Sequence, residues 1–290
     1  MIDEKYIGFG LQDTPYDERD FQLGAIVDLP QLKEIPNEFS FEPLAIKDQL
    51  NTDFCSAFAT CSISELQEGK ILDPLWSFAV SKKISEDPET WGQNIRDALK
   101  AHVKYGALPE SDSPYLIETA DLEKIRYIEN WPVELFQKAI IQKKKTFFKV
   151  TGPYDHYDNL RASIWKFKTK KHGFVTGLKW HWSSKEIILK GPQEGGTGHL
   201  IAGIGWDDRG IKIQNSAGLK AGENGCHYIP REEINYYVEK YGAYMLVDIS
   251  PDDAKYYMEN GIKLDDNPWV AIWKAIVNLI RSLFAEPGRS

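Results

Sequence analysis

Between residues 51 and 70 the apolar side chains Phe54, Phe58, Ile63 and Leu66 recur at a spacing that keeps them on one side of a helix. Residues 91–106 repeat the pattern with Ile95, Leu99 and Val103 at i, i+4 and i+8, which predicts a second helix, and residues 119–145 predict another short one or two. After about Phe147 the text changes to short apolar runs: 175–182, 187–189, 199–204, 211–213 and 244–247. Glycines and charged turns separate these runs, as antiparallel β structure requires, and a helix over about 158–168 precedes the first. The expectation is an α+β chain with a helical lobe over 41–146 and a β lobe over 147–250. A seam between two such lobes is where pockets form.

The flanks read differently. Residues 1–40 are polar, punctuated by aromatics and prolines, and predict a segment that wraps the body or lies over a cleft as a short latch. The extension 251–290 carries Trp269, Ile272, Trp273, Ile276, Leu279, Ile280, Leu283 and Phe284 at helical spacing, opposite Lys274, Asn278 and Arg281. Pro268 suits its start and Pro287 its end, giving a C-terminal amphipathic helix. A bilayer span needs about 20 apolar residues, so this helix is expected to dock, self-associate or make interfacial membrane contact through 268–284.

Composition narrows the classes. With 290 residues, 42% of them hydrophobic, the chain buries a substantial core. A net charge of −8 argues against nonspecific nucleic-acid binding, which needs clustered cations to neutralise phosphates. Three cysteines do not make a disulfide framework, and Met1 to Lys5 lack a charged-then-apolar leader. These features predict a cytoplasmic or virion-associated protein without signal peptide or membrane span. Cys61 and Cys226 read as buried packing residues. His172 and His181 lack cysteine or carboxylate neighbours at ligand spacing and His227, which follows Cys226, reads as structural, so no metal and no cofactor is expected.

One set of residues does carry chemistry. Cys55 opens the first helix, where the positive end of the dipole favours a thiolate. His199 follows 144 positions later and Asn215 after 160, while Gln49 precedes the cysteine by six. Covalent catalysis by a thiol needs a nucleophile, a base, a group that orients the base and a donor for the oxyanion. Cys55, His199, Asn215 and Gln49 supply those types in that order.

From about Glu42 to Ile249 the chain resembles the papain-like (C1-type) cysteine peptidases, and the bacterial and phage members more than the secreted ones. Lys47-Asp48-Gln49 with Cys55-Ser56-Ala57-Phe58-Ala59, the Gly92-Gln93-Asn94 turn, Gly198-His199-Leu200 and the block from Gln214 to Gly225 carry the likeness. It implies a two-lobe fold, with the nucleophile on the helical lobe and His and Asn on the β lobe. It also implies hydrolysis of peptide bonds in a protein or peptide substrate, by Cys55, His199 and Asn215 with Gln49 in the oxyanion hole. Asp53, Phe54, Gly92, Gly198 and Ala217 fall at positions that would line the cleft. Ala217 and Ala221 stand where the family carries aromatics, which predicts a thinly covered Asn215–His199 bond. A papain-like scaffold without activity, and an acyltransferase sharing the first half-reaction, are the competing classes.

Overall fold

A computed structural model describes residues 10–14, 17–181, 183, 185–191 and 196–259. Its first half is helical. Helix α1 (Leu23–Ile26) is a single buried turn, and α2 (Cys55–Glu68), α3 (Pro74–Ser85), α4 (Ile95–Lys104), α5 (Leu122–Ile125) and α6 (Glu134–Ala139) follow. Each boundary has a local cause. Helix α2 ends because Gly69 takes φ 65° and returns its N–H to the Glu65 carbonyl at 2.8 Å. Asp73 caps α3 by accepting from the Leu75 amide at 2.8 Å, with Pro74 in the first turn where its missing N–H costs nothing. Asn94 caps α4 through the Asp97 amide at 2.9 Å.

The helices expected over 51–70 and 91–106 are therefore present in shortened form. Helix α3 was not legible, because its residues from Pro74 to Lys82 are all buried and a helix enclosed on every side shows no polar face.

The second half forms one antiparallel sheet. Its strands are β1 (Phe39–Ser40), β2 (Thr146–Lys149), β3 (Phe174–Trp180), β4 (Thr197–Asp207), β5 (Gly210–Gln214), β6 (Cys226–Ile229) and β7 (Ala243–Val247). They lie in the order β2-β7-β3-β4-β5-β6, with β1 paired to the far end of β4. Helices α7 (His156–Lys166) and α8 (Arg231–Tyr241) pack beside it, and α9 (Pro251–Glu259) leads out of the sheet. The run 187–189 makes only an isolated bridge, Ile188 to Tyr228, rather than a strand. Strand β6 was missed because all four of its residues are buried, so no alternation marks it.

Each lobe has its own core. Phe54, Phe58, Trp76, Phe78, Leu108 and Trp131 centre the helical one, and a larger cluster around Phe174, Leu200, Ile204 and Met245 underlies the sheet. Helix α2 runs between them, touching α3 and α4 on one side and β4 on the other. The amino-terminal segment is built into this body from Asp20 onward. The Asp20 carboxylate forks onto Arg96 of α4, with one contact at 2.9 Å, and Lys149 of β2 donates to the Phe21 carbonyl at 2.8 Å. The amphipathic stretch 268–284 lies outside the described residues. Among the described residues no helix is long and apolar enough to cross a membrane.

Lys47 joins the loop before α2 to the helical lobe. Its ammonium contacts Glu65 at 2.7 Å, Glu110 at 3.0 Å and the Leu72 carbonyl, and the Glu65 side chain is only 1% exposed. Removing one partner of a buried pair strands the other charge, so Lys47→Met is expected to cost about 3–5 kcal/mol of stability. Chemical denaturation of this variant checks it; a loss under about 1 kcal/mol would mean that water already screens the pair.

Candidate active site

The four residues singled out for chemistry come from three places. Cys55 is the first residue of α2 and is fully buried. His199 lies on β4, opposite Leu178 of β3, and Asn215 follows the last residue of β5. Gln49 sits in the loop before α2. That loop is zipped to the one after β5: Gln49 N donates to the Ser216 carbonyl at 2.8 Å, Gly218 N to the Lys47 carbonyl at 3.1 Å, and Asp48 bridges Ala217.

His199 Nε2 lies 2.9 Å from Asn215 Oδ1, which also accepts the Ser216 amide at 2.8 Å. A backbone amide only donates, so this contact fixes which end of the Asn215 side chain is oxygen. His199 Nε2 therefore carries a proton, and Nδ1 is the basic nitrogen of the neutral ring. Gln49 is held just as tightly. Its Nε2 donates to the Thr52 carbonyl at 2.6 Å and its Oε1 accepts the Ser216 hydroxyl at 2.5 Å, which leaves the second Nε2 hydrogen for another acceptor.

Leu200, the residue after His199, Ser56 and Gly10 lie beside Cys55. Burial pushes the thiol up to about 11 and pulls His199 down to about 4. In this closed form thiol and imidazole are both neutral.

What closes the site is the chain's own amino-terminal strand. Leu11 N donates to the Gly198 carbonyl at 3.2 Å, Gln12 N to the Gln93 carbonyl at 2.9 Å, and Gln93 N to the Gly10 carbonyl at 2.6 Å, a parallel pairing. Gly10, Gly92 and Gly198 make the approach possible. A Cβ on Gly10 would meet the Asp53 carbonyl oxygen at 1.9 Å, and one on Gly198 would meet the Leu11 carbonyl oxygen at 2.5 Å. Leu11 itself lies over Gly177 of β3.

Two expectations change on sight of the packing. Phe54 does not present its ring to the cleft: it is fully buried and stacks on Phe78 at 3.8 Å between centroids. The Asn215–His199 bond is not thinly covered either, since both residues are buried and Trp180 of β3 sets its ring edge-on to His199 at 5.3 Å. Asp53 does stand beside the nucleophile, and burial pushes its carboxyl up to about 6.

Trp180 had no signal that marked it for the site, because it reaches it from a strand whose sequence reads only as an apolar run. Among the described residues no group of three or more His, Cys, Asp or Glu side chains is placed to hold a metal ion.

The backbone fold is similar to that of solved structures. Xylellain, a cysteine protease from Xylella fastidiosa, superposes with a TM-score of 0.67 over 84% of this chain and 97% of that one, at 21% identity. The chain has the papain-like fold. Procathepsin B S9 from Trypanosoma congolense (TM-score 0.58, 12% identity, 82% of this chain and 86% of that one) shares it. So does digestive procathepsin L 3 from Tenebrio molitor larval midgut (TM-score 0.58, 14% identity, 83% and 76%). No protein-family profile matches the sequence, and no curated protein matches it. At this distance the papain-like fold is recognised through backbone shape.

With burial pushing the thiol up to about 11, the intact chain is expected to alkylate at Cys55 about a hundredfold more slowly at pH 7 than an ordinary thiol. Timed intact-mass measurement with iodoacetamide, using Cys55→Ala to assign the adduct, checks this. A rate at or above that of a free thiol would mean that the ion pair forms with the amino-terminal strand still in place.

Proposed function

We propose that the chain is a cysteine-type peptidase acting on protein or peptide substrates, with Cys55 as nucleophile, His199 as base, Asn215 as orienter and Gln49 as oxyanion donor. The observation that carries this reading is the His199–Asn215 bond at 2.9 Å, which commits Nε2 to donation and leaves Nδ1 as the base, on the strand whose next residue lies beside Cys55. The fold shared with xylellain and the procathepsins, all thiol peptidases or their precursors by name, supports it.

In the open site His199 Nδ1 takes the proton of Cys55 and the thiolate attacks the carbonyl carbon. The negative oxygen that develops is met by the free Nε2 hydrogen of Gln49 and the Cys55 amide, donors whose individual loss in comparable sites costs about 3–4 kcal/mol. His199 then delivers its Nδ1 proton to the leaving amine, and the carbon–nitrogen bond breaks. Water, deprotonated by the same nitrogen, cleaves the thioester and restores the thiol. The Asp53-to-Ser56 stretch holds the nucleophile at the start of α2, where the helix dipole favours the thiolate once the site is hydrated.

The same reading makes residues 10–14 a latch. The strand pairs with Gly198 and Gln93 through Leu11 and Gln12. Displacing it would let water in, relieve the burial that keeps both groups neutral, and permit the thiolate–imidazolium pair. Residues 20–40 then serve as the anchored wrap, tied down by Asp20 and Arg96.

Gly10→Val, whose side chain cannot coexist with the Asp53 carbonyl, is expected to raise labelling of Cys55 by an epoxide-type thiol-peptidase inhibitor tenfold or more over the wild type. Cys55→Ala in the same background should abolish the adduct and cut cleavage of a fluorogenic peptide library by at least about a thousandfold. A folded Gly10→Val chain that takes no adduct and cleaves nothing sinks the peptidase reading. Equal labelling of Gly10→Val and wild type would sink the latch alone.

A further inference from the structure

Asn215 uses both ends of its amide. Its Oδ1 is taken by Ser216 N and His199 Nε2, so Nδ2 is the end that faces His227 Nε2 at 3.2 Å. Two donors cannot share that contact, so Nε2 of His227 is the bare nitrogen. The ring proton then sits on Nδ1, which lies 2.5 Å from the Glu186 carbonyl oxygen. Both ends of the imidazole are satisfied only when it is neutral and in this one tautomer.

We propose that His227 is a positioning residue for the site, its neutral Nδ1–H ring holding the Asn215 amide with the oxygen towards His199. This rests on the peptidase reading. His227 belongs to β6, is fully buried, and touches no group that would meet a substrate, so it acts through Asn215. Trp180 clamps the pair from β3, with its ring 5.3 Å from His227 and 5.3 Å from His199. Gly222 leaves room on the remaining side: a Cβ there would come within 2.8 Å of His227 Nδ1.

The lock has a direction in pH. The titratable groups that act on the ring are Glu186, from the 185–191 segment, and His199, from β4. Burial holds His227 below the usual histidine range, against the backbone and charge of Glu186, which favour the cation. Protonation puts an N–H against the Asn215 NH2. The amide then turns its oxygen to His227 and its NH2 to His199 Nε2, and the orientation of the base is lost. His227 thus supplies an acid limit below the usual histidine range, in addition to any limit set by His199 itself.

Nitrogen-resolved NMR of the full chain tests the lock directly. The expected result is His227 protonated on Nδ1 and bare on Nε2, with the His199 Nε2 and Asn215 Nδ2 signals shifting at the same midpoint as His227 on acidification. A proton on Nε2 of His227, or His199 and Asn215 signals that ignore its titration, overturns the proposal.

Two full-chain variants, each with Gly10→Val, give the chemical readout as epoxide alkylation of Cys55. His227→Gln keeps an acceptor for Asn215 and a donor for Glu186 without titrating; it is expected to retain the neutral-pH rate and move the acid limb to lower pH. His227→Leu, which strands Asn215 Nδ2, is expected to lower the maximal rate about tenfold while leaving the half-saturating reagent concentration unchanged. Brisk alkylation with identical rates and acid limbs in all three chains overturns this inference and leaves the peptidase reading standing. No alkylation of Cys55 at any pH overturns the peptidase reading and the positioning role with it.

Discussion

The amide oxygen of Asn215 is the point on which the site turns. It accepts from His199 and from the backbone of Ser216, and through those two bonds it sets the proton on one imidazole and the register of the loop after β5. Ser216 in turn holds Gln49 by hydroxyl and by carbonyl. His199, Asn215 and Gln49 are therefore one connected set of hydrogen bonds, buried where each unmade bond would cost about 1–3 kcal/mol. A site assembled this way is rigid because no member can rotate without stranding another.

That set also joins the lobes. Ile63 and Leu66 of α2 and Ile95 and Leu99 of α4 belong to the core under the sheet, so apolar burial spans the seam. Directional bonds between the 47–50 loop and the 216–218 loop add to it, and Lys47, pinned by Glu65, ties that loop to α2, which Cys55 opens.

The closed cleft follows from the same economy of space. Gly10, Gly92 and Gly198 allow three stretches of backbone to approach within hydrogen-bonding distance over the nucleophile, and the resulting exclusion of water keeps thiol and imidazole neutral. On the proposed peptidase reading, protection and latency are then the same physical fact, because charge separation between Cys55 and His199 is unfavourable until something solvates it.

Much of this was legible beforehand. Cys55, His199, Asn215 and Gln49 announce themselves by residue type and order, and the helix opened by Cys55 and the strand carrying His199 show in their hydrophobic periods. Such signals are local, set by what a few neighbouring residues do to backbone and solvent. Helix α3 and strand β6 escaped because burial on all sides erases periodicity. Phe54 was placed near the cleft by its neighbour in sequence, yet the stack with Phe78 turns its ring into the core. The cover over Asn215, absent at Ala217, comes from Trp180 and His227 on two other strands, and the amino-terminal strand crosses a cleft formed by residues up to nearly 190 positions away. The sequence by itself determined which groups are present and which local elements carry them; the tertiary structure alone decided their protonation and access, because both depend on which distant backbone and rings exclude water from the seam.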